Sequence, residues 1–203
     1  MGAGERNLNM RRKTFDMILT ASGAVLVVVL IAAGSLGMWG YNYANTNVHN
    51  QLAAQQIFFP KLGSSELASP KIGPYLDKYA GQQLLSGQQA EAWADHFIAV
   101  HLQEIGGGKT YSQLSTAAQE LSKGSPAYTT AEAQVQTVFQ GTTLRGLLLE
   151  AYAFWTIGQV AVWGAIISFI LAGLMLVLTL LGLLHLRRVP EEEEFPRLRH
   201  AEA

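Results

Sequence analysis

Two long stretches without a charged residue constrain this chain more than any other feature of its sequence. They cover residues 17–39 and residues 151–186. A helix of 23 residues is about 34 Å long, against about 30 Å for the hydrocarbon layer of a membrane. Counting back 23 residues from His185 places the outer end of the second span near Trp163. The sequence therefore predicts two transmembrane helices and a lipid bilayer as an obligatory partner.

The composition agrees with a membrane protein. Charged residues make up 14% of the 203 residues, whereas soluble domains average about 25%. The formal net charge of −1 gives no field that would attract nucleic acid. The chain contains no cysteine, which excludes disulfides, thiolate metal sites and a cysteine nucleophile. Folding outside the membrane must therefore depend on packing or on neighbouring subunits.

The flanks of the two stretches predict their orientation. Basic residues lie next to the stretches on the side away from the connecting segment: Arg11, Arg12, Lys13, Arg187 and Arg188. Residues 40–55, on the other side, contain no Lys or Arg. The positive-inside rule then places both termini in the cytoplasm of a bacterial cell, with the inner membrane as the location. A cleaved signal peptide is the alternative, but signal cores are only about 7–15 residues long, so we favour an uncleaved signal anchor.

Aromatic residues mark the expected outer interface of the membrane. They occur at the outer ends of both stretches, at Trp39, Tyr41, Tyr43, Trp155 and Trp163. Amphipathic rings at this height form the aromatic belt of many membrane proteins.

The resulting fold class is an all-α membrane protein with an extracytoplasmic helical bundle between its spans, whose long helices continue out of the bilayer. The predicted parts are a cytoplasmic tail (1–16), the first span (17–39), an extracytoplasmic domain (40–150), an outer extension with the second span (151–186) and a charged cytoplasmic tail (187–203). Apolar periodicity and stop signals predict helices near 47–58, 72–85, 87–105, 111–122 and 130–150. Three Ser/Thr–x–x–Gln/Glu pairs match capping boxes and begin at Ser86, Thr110 and Thr129. We expect Phe58 and Phe59 to pack into the helical core.

Chemistry-bearing residues are few. The segment that contains Asp95, His96, His101 and Glu104 is the most concentrated group of titratable side chains. His96 and His101 are five positions apart and diverge on a regular helix, whereas His101 and Glu104 could share one edge of a metal site. That site would be incomplete, so we favour a histidine hydrogen-bonded at a helix–helix or subunit contact. No cofactor or catalytic motif is recognised, which favours a protein that is not an enzyme. We expect Arg145 to pair with Glu150, either on the surface of the long helix or across subunits.

Small residues indicate where membrane helices approach one another closely. They recur on both stretches, at Ala33, Gly37, Ala161, Gly164, Ala165, Ser168 and Ala172. Lipid supplies no hydrophobic drive for association, so close packing of small residues holds spans together. These residues could serve contact between the two spans of one chain, between subunits, or both.

Several short segments resemble a family of uncharacterised actinobacterial two-pass membrane proteins. The similarity lies in residues 75–79, 96–102, 143–146 and 153–155, and would cover most of residues 57–188. The family has no assigned activity, so the resemblance implies a source and an architecture but no mechanism.

Three functions remain open from the sequence. The first is a non-enzymatic homo-oligomeric structural or accessory subunit of a larger membrane complex. The second is an oligomeric two-span channel or pore, which rests on analogy of architecture. The third is an extracytoplasmic sensor, which the short charged tail disfavours because it leaves no room for a folded output domain.

Overall fold

A computed structural model describes residues 12–188 of the chain, with side chains from Thr14 onward. Over this range the structure is all-helical and has no strand. Its α-helices are α1 (Arg12–Gln55), α2 (Gly73–Leu76), α3 (Gly87–Trp93), α4 (Ala99–Ile105), α5 (Tyr111–Gln119) and α6 (Pro126–Leu186). Short 3-10 turns cover Ser65–Leu67 and Asp77–Tyr79, and a π-helical turn, Ala94–Ile98, joins α3 to α4. The predicted tails lie mainly outside the described residues, as do Arg11 and the side chains of Arg12 and Lys13.

Two of these helices are long and apolar enough to cross a membrane. They are α1 and α6, and only 17% and 11% of their most apolar windows are buried. The central helix of a soluble bundle would be mostly buried, because its apolar side chains must avoid water. The predicted spans lie within these helices, and each helix continues without a break into the predicted domain between the spans.

The chain divides into two compact units. The first combines Met1–Trp39 with Val162–Ala203, and the second is Gly40–Ala161. In the first unit α1 and α6 pack along a seam that uses every third or fourth residue. The α1 side of this seam contains Gly23, Val27 and Gly34, and the α6 side contains Ala165, Ala172 and Thr179, all of them buried. Such alternation of three and four residues is the pattern by which two helices keep one face in contact.

The second unit has its main core around α3. Leu76 and Leu84 are fully buried there, together with Phe59 and Trp93. A smaller cluster joins Leu114 and Ala118 of α5 to Val135 and Val138 of α6. The capping boxes Ser86–Gln89 and Thr110–Gln113 start α3 and α5 as predicted. These caps fix where the two helices begin and so which faces they turn towards the cores.

The helix predicted over 72–85 is wrong for its second half, residues 80–85. Regular structure ends at Tyr79, and Gly81 adopts a left-handed φ of 72°. The chain then runs back alongside residues 57–60, with hydrogen bonds from Phe59 N to Gln82 O and from Leu84 N to Ile57 O. Pairing with a distant segment overrides the local helical pattern here. The same pairing directs Phe59 into the core and leaves Phe58 57% exposed, so only one of the two expected phenylalanines is buried.

The capping box predicted at Thr129 is also wrong. α6 starts one turn earlier, at Pro126, and the Ser125 hydroxyl accepts a hydrogen bond from the backbone N–H of Tyr128 at 3.1 Å. Proline suits the first helical position because the N–H it lacks would have no partner there. Thr129 instead donates its hydroxyl to the Ser125 carbonyl, within the first turn.

Candidate functional site

The π-helical turn contains Asp95 and His96, two of the four titratable residues singled out from the sequence, whereas His101 and Glu104 lie in α4. The Asp95 carboxylate accepts a hydrogen bond from Arg145 Nη2 at 2.6 Å, and Arg145 Nε donates to the Ala94 carbonyl at 3.3 Å. The expected pair of Arg145 with Glu150 is therefore wrong within one chain, and a pair across subunits stays a prediction. A π turn adds one residue to the helix, and such bulges recur at functional sites. Here the widened turn presents a carbonyl and a carboxylate together to one guanidinium on α6.

The two histidines of this region have different partners. The ring of His96 stacks on Tyr75 with 3.6 Å between centroids and 1° between planes. His101 lies against Phe97, and its Nδ1 is 2.7 Å from the Phe97 carbonyl. A small pocket of about 170 Å³ lies beside His96 and includes Lys78 and Glu91. This bond of His101 is local, to a residue four positions earlier, so a histidine bonded across a helix–helix or subunit contact stays a prediction.

No metal site is apparent in the described part of the chain. Residues 12–188 contain no group of three or more His, Asp or Glu side chains that could hold an ion. Glu104 is exposed, and one nitrogen of His101 already faces a carbonyl. The edge suggested by the His101–Glu104 spacing is not completed by a third ligand from another described element.

The small residues divide between the seam and the free surface. Ala165 and Ala172 are buried, and Ser168, Gly37 and Ala161 are half-buried. Ala33 and Gly164 are exposed instead, and a Cβ on Gly164 would meet nothing within 4 Å. These last two residues do not serve contact between the spans of one chain.

Sequence reasoning missed the glycines that bring α1 and α6 closest. A Cβ on Gly34 would lie 2.8 Å from the Phe169 ring, and one on Gly23 would lie 2.7 Å from Thr179 Oγ1. On the other helix, Gly182 faces Thr20 in the same way. The signal was present as a spacing of three and four residues along α1, which includes Gly23, Val27 and Gly34 but not Ala33.

Polar groups gather at one end of this seam. Asp16 Oδ2 is buried and lies 3.8 Å from His185 Nε2. That distance permits attraction between charges but is too long for a hydrogen bond. Thr20 donates to the Asp16 carbonyl at 2.8 Å, whereas the buried hydroxyl of Thr179 has no hydrogen-bond partner among the described residues.

The residues predicted at the membrane interface have varied surroundings. Trp39 and Trp163 are 66% and 64% exposed, as rings facing lipid would be. Trp155 is half-buried and packs over Gly87 and against the main core of the second unit. Tyr43 makes an edge contact with Phe154, with 6.4 Å between centroids, and Tyr41 is half-buried. Arg187 and Arg188 are exposed in the turn that follows α6.

The second unit contains a groove that is lined by segments of α1 and α6. It has a volume of about 510 Å³ and lies between residues 43–55 of α1 and residues 144–154 of α6. Its floor is formed by core residues that include Val48, Leu52 and Leu148. The other residues named here line the sides of the groove, and we call them the groove rim: Tyr43, Asn47, Gln51, Gln55, Leu144, Leu147, Glu150 and Phe154. One wall is therefore mainly amide and the other mainly apolar.

Comparison with known proteins adds no relative. No family model, no curated protein and no solved structure matches the chain. The resemblance to actinobacterial two-pass membrane proteins stays a prediction from short segments.

Proposed function

We propose that the chain is a non-enzymatic subunit of a bacterial inner-membrane complex, homo-oligomeric and structural or accessory in role. Both termini are cytoplasmic in this proposal, and residues 40–150 form an extracytoplasmic helical domain through which the subunit acts. The basic residues outside the two apolar stretches support this orientation. The lack of recognised catalytic motifs in the sequence supports a role in assembly.

The observation that carries the proposal is the length of the exposed apolar surface on α6. Large apolar side chains are exposed at intervals along this helix from Leu144 to Leu184. These two residues are 40 positions apart, or about 60 Å along a helix. The hydrocarbon layer covers only about 30 Å. If the inner end of this surface lies at the cytoplasmic face, its outer part lies in water unless protein covers it.

The exposed outer part of this surface is substantial. Leu147, Ile157 and Val160 are 59%, 64% and 69% exposed. Burial of each such side chain stabilises an association by about 1.5–3 kcal/mol at most. Large apolar side chains that are left in water outside the membrane favour association with another protein surface. A neighbouring subunit is the cover that the proposal supplies, and the exposed small residues Ala33 and Gly164 would allow such a subunit to approach closely.

The mass of the complex extracted from native membranes tests the proposal. We expect a particle that contains two or more copies of the 22.0 kDa chain, alone or with other subunits. The measurement is native mass spectrometry in at least two mild detergents and in lipid nanodiscs. A single copy with no companion protein in all three would refute the assembly role, and reporter fusions found in different compartments at the two termini would refute the topology.

A further inference from the structure

We infer that the groove between α1 and α6 is the contact face for a second copy of this chain. The inference rests on the proposed homo-oligomer and names the surface through which it forms. The groove lies wholly within the second unit, and its apolar wall is formed by Leu144, Leu147 and Phe154 of α6. These three residues are exposed although they belong to a folded helix that packs its opposite side on the core.

The amide wall excludes a lipid tail as the occupant. Asn47, Gln51 and Gln55 follow one another at four-residue intervals and so form one row along α1. Each primary amide offers two N–H donors and a carbonyl acceptor. The Asn47 amide already donates one N–H to the Tyr43 carbonyl, at 2.9 Å. An acyl chain beside this row would leave the remaining donors and acceptors without hydrogen bonds, which costs free energy for every amide that is covered. The occupant must therefore carry polar groups opposite the amide row and apolar groups opposite the leucines.

A second copy meets both requirements. Amides can donate to and accept from identical amides, so the row is complementary to itself. The carboxylate of Glu150, also on the groove rim, makes no ion pair within the described residues and can accept from the Gln51 or Gln55 amide of a partner. Two copies inserted by the same pair of spans also present the same residues at the same height. A two-fold contact of identical patches is the commonest form of association between identical chains.

Cysteine crosslinking tests this inference directly because the chain has no cysteine of its own. In Gln51→Cys the thiol lies on the groove rim, and in His49→Cys it lies about 160° around the same helix, on an exposed position outside the groove. The full-length variants would be oxidised, or treated with a short bis-maleimide, in native membrane vesicles. We expect Gln51→Cys to give a band of twice the chain mass. His49→Cys should give at most about a tenth of that amount of crosslinked dimer, because a tenfold difference corresponds to a preference of about 1.4 kcal/mol.

A second variant tests the groove without added thiols. Leu147→Asp places a carboxylate on the apolar wall, where Leu147 is 59% exposed, so the chain can fold with the new side chain in water. In a contact between two copies, this carboxylate would be buried next to the same carboxylate of the second copy. We expect the oligomer to be weaker, with a dissociation constant at least about tenfold higher than that of the unchanged protein. Leu62→Asp, at an exposed leucine that belongs neither to α6 nor to the groove rim, is the matched control.

The outcomes separate this inference from the proposed function. An oligomer that persists while Gln51→Cys fails to crosslink would refute the groove contact and leave the subunit role intact. A single copy without companions would refute both. Crosslinking of Gln51→Cys to a different protein, or recovery of a monomer with bound lipid in the groove, would overturn the second copy as the occupant.

Discussion

Substitution of Gly87 by alanine tests the packing of the second unit at its tightest point. A Cβ added to Gly87 would overlap the Trp155 Cβ and lie 2.6 Å from Trp155 Cγ. Ordinary contacts of this kind are 3.4 Å or longer, so relief of the Cγ contact alone requires α3 and α6 to separate locally by about 0.8 Å, and relief of the Cβ overlap requires more. Overpacking of a well-packed core costs about 1–3 kcal/mol. The Trp155 Cβ is fixed to the backbone, so a change of rotamer cannot relieve the overlap.

Gly146→Ala is the control for this substitution. Gly146 lies within α6 in the same unit, and a Cβ there would meet nothing within 4 Å. Alanine in a helix interior is more favourable than glycine by about 0.5–1 kcal/mol. The two variants should therefore differ by about 1.5–4 kcal/mol in the free energy of unfolding, a sum of the overpacking and propensity effects.

Thermal unfolding in detergent, followed by tryptophan fluorescence, measures this difference. One kcal/mol corresponds to about 4 °C in the Tm of a domain of this size. We expect Gly146→Ala to unfold at or above the Tm of the unchanged protein and Gly87→Ala to unfold at least about 6 °C below its control. Equal melting temperatures for the two variants would show that α3 and α6 do not approach each other as described.

Three further predictions concern single polar groups. Asp95→Asn should destabilise the second unit by no more than about 1 kcal/mol, because its pair with Arg145 is 36–39% exposed; chemical unfolding at low and high salt measures the loss, and a larger loss at high salt would contradict the reasoning. Thr179→Val should leave the pairing of the spans unchanged or strengthen it, because the buried hydroxyl has no partner; weaker association in titrations with denaturing detergent would contradict this. The Glu66 backbone N–H lowers the pKa of the Glu66 carboxyl below its usual 4.5. Stability from this group is therefore present above pH 4.5 and lost as the pH falls through the lowered value, and Glu66→Gln should flatten the acid limb of the unfolding curve.

Much of the helical structure could be predicted from local signals. The caps at Ser86 and Thr110 start helices as expected because a capping box needs only residues three positions apart. The failures at residues 80–85 and at Thr129 have tertiary or competing local causes. In the first case a distant segment pairs with the chain, and in the second Ser125 and Pro126 offer an earlier start.

The candidate site was less accessible to sequence reasoning. The groove requires α1 and α6 to lie side by side, and nothing in either segment alone specifies which faces meet. Arg145 likewise has Glu150 only five residues away and Asp95 at a distance of 50 residues, yet the structure pairs it with Asp95. The sequence predicted one continuous helix over residues 87–105, and only the structure shows the π turn Ala94–Ile98 within it.

The sequence alone determined that this chain has two helices able to cross a membrane, because length and freedom from charge are local properties that lipid imposes residue by residue. The tertiary structure decided which small residues bring these helices together. Ala33 and Gly34 are neighbours in the sequence, but they lie about 100° apart on the helix, and only Gly34 faces the other span. That choice depends on the rotation of α1 relative to α6, which many weak contacts fix jointly and no single segment encodes.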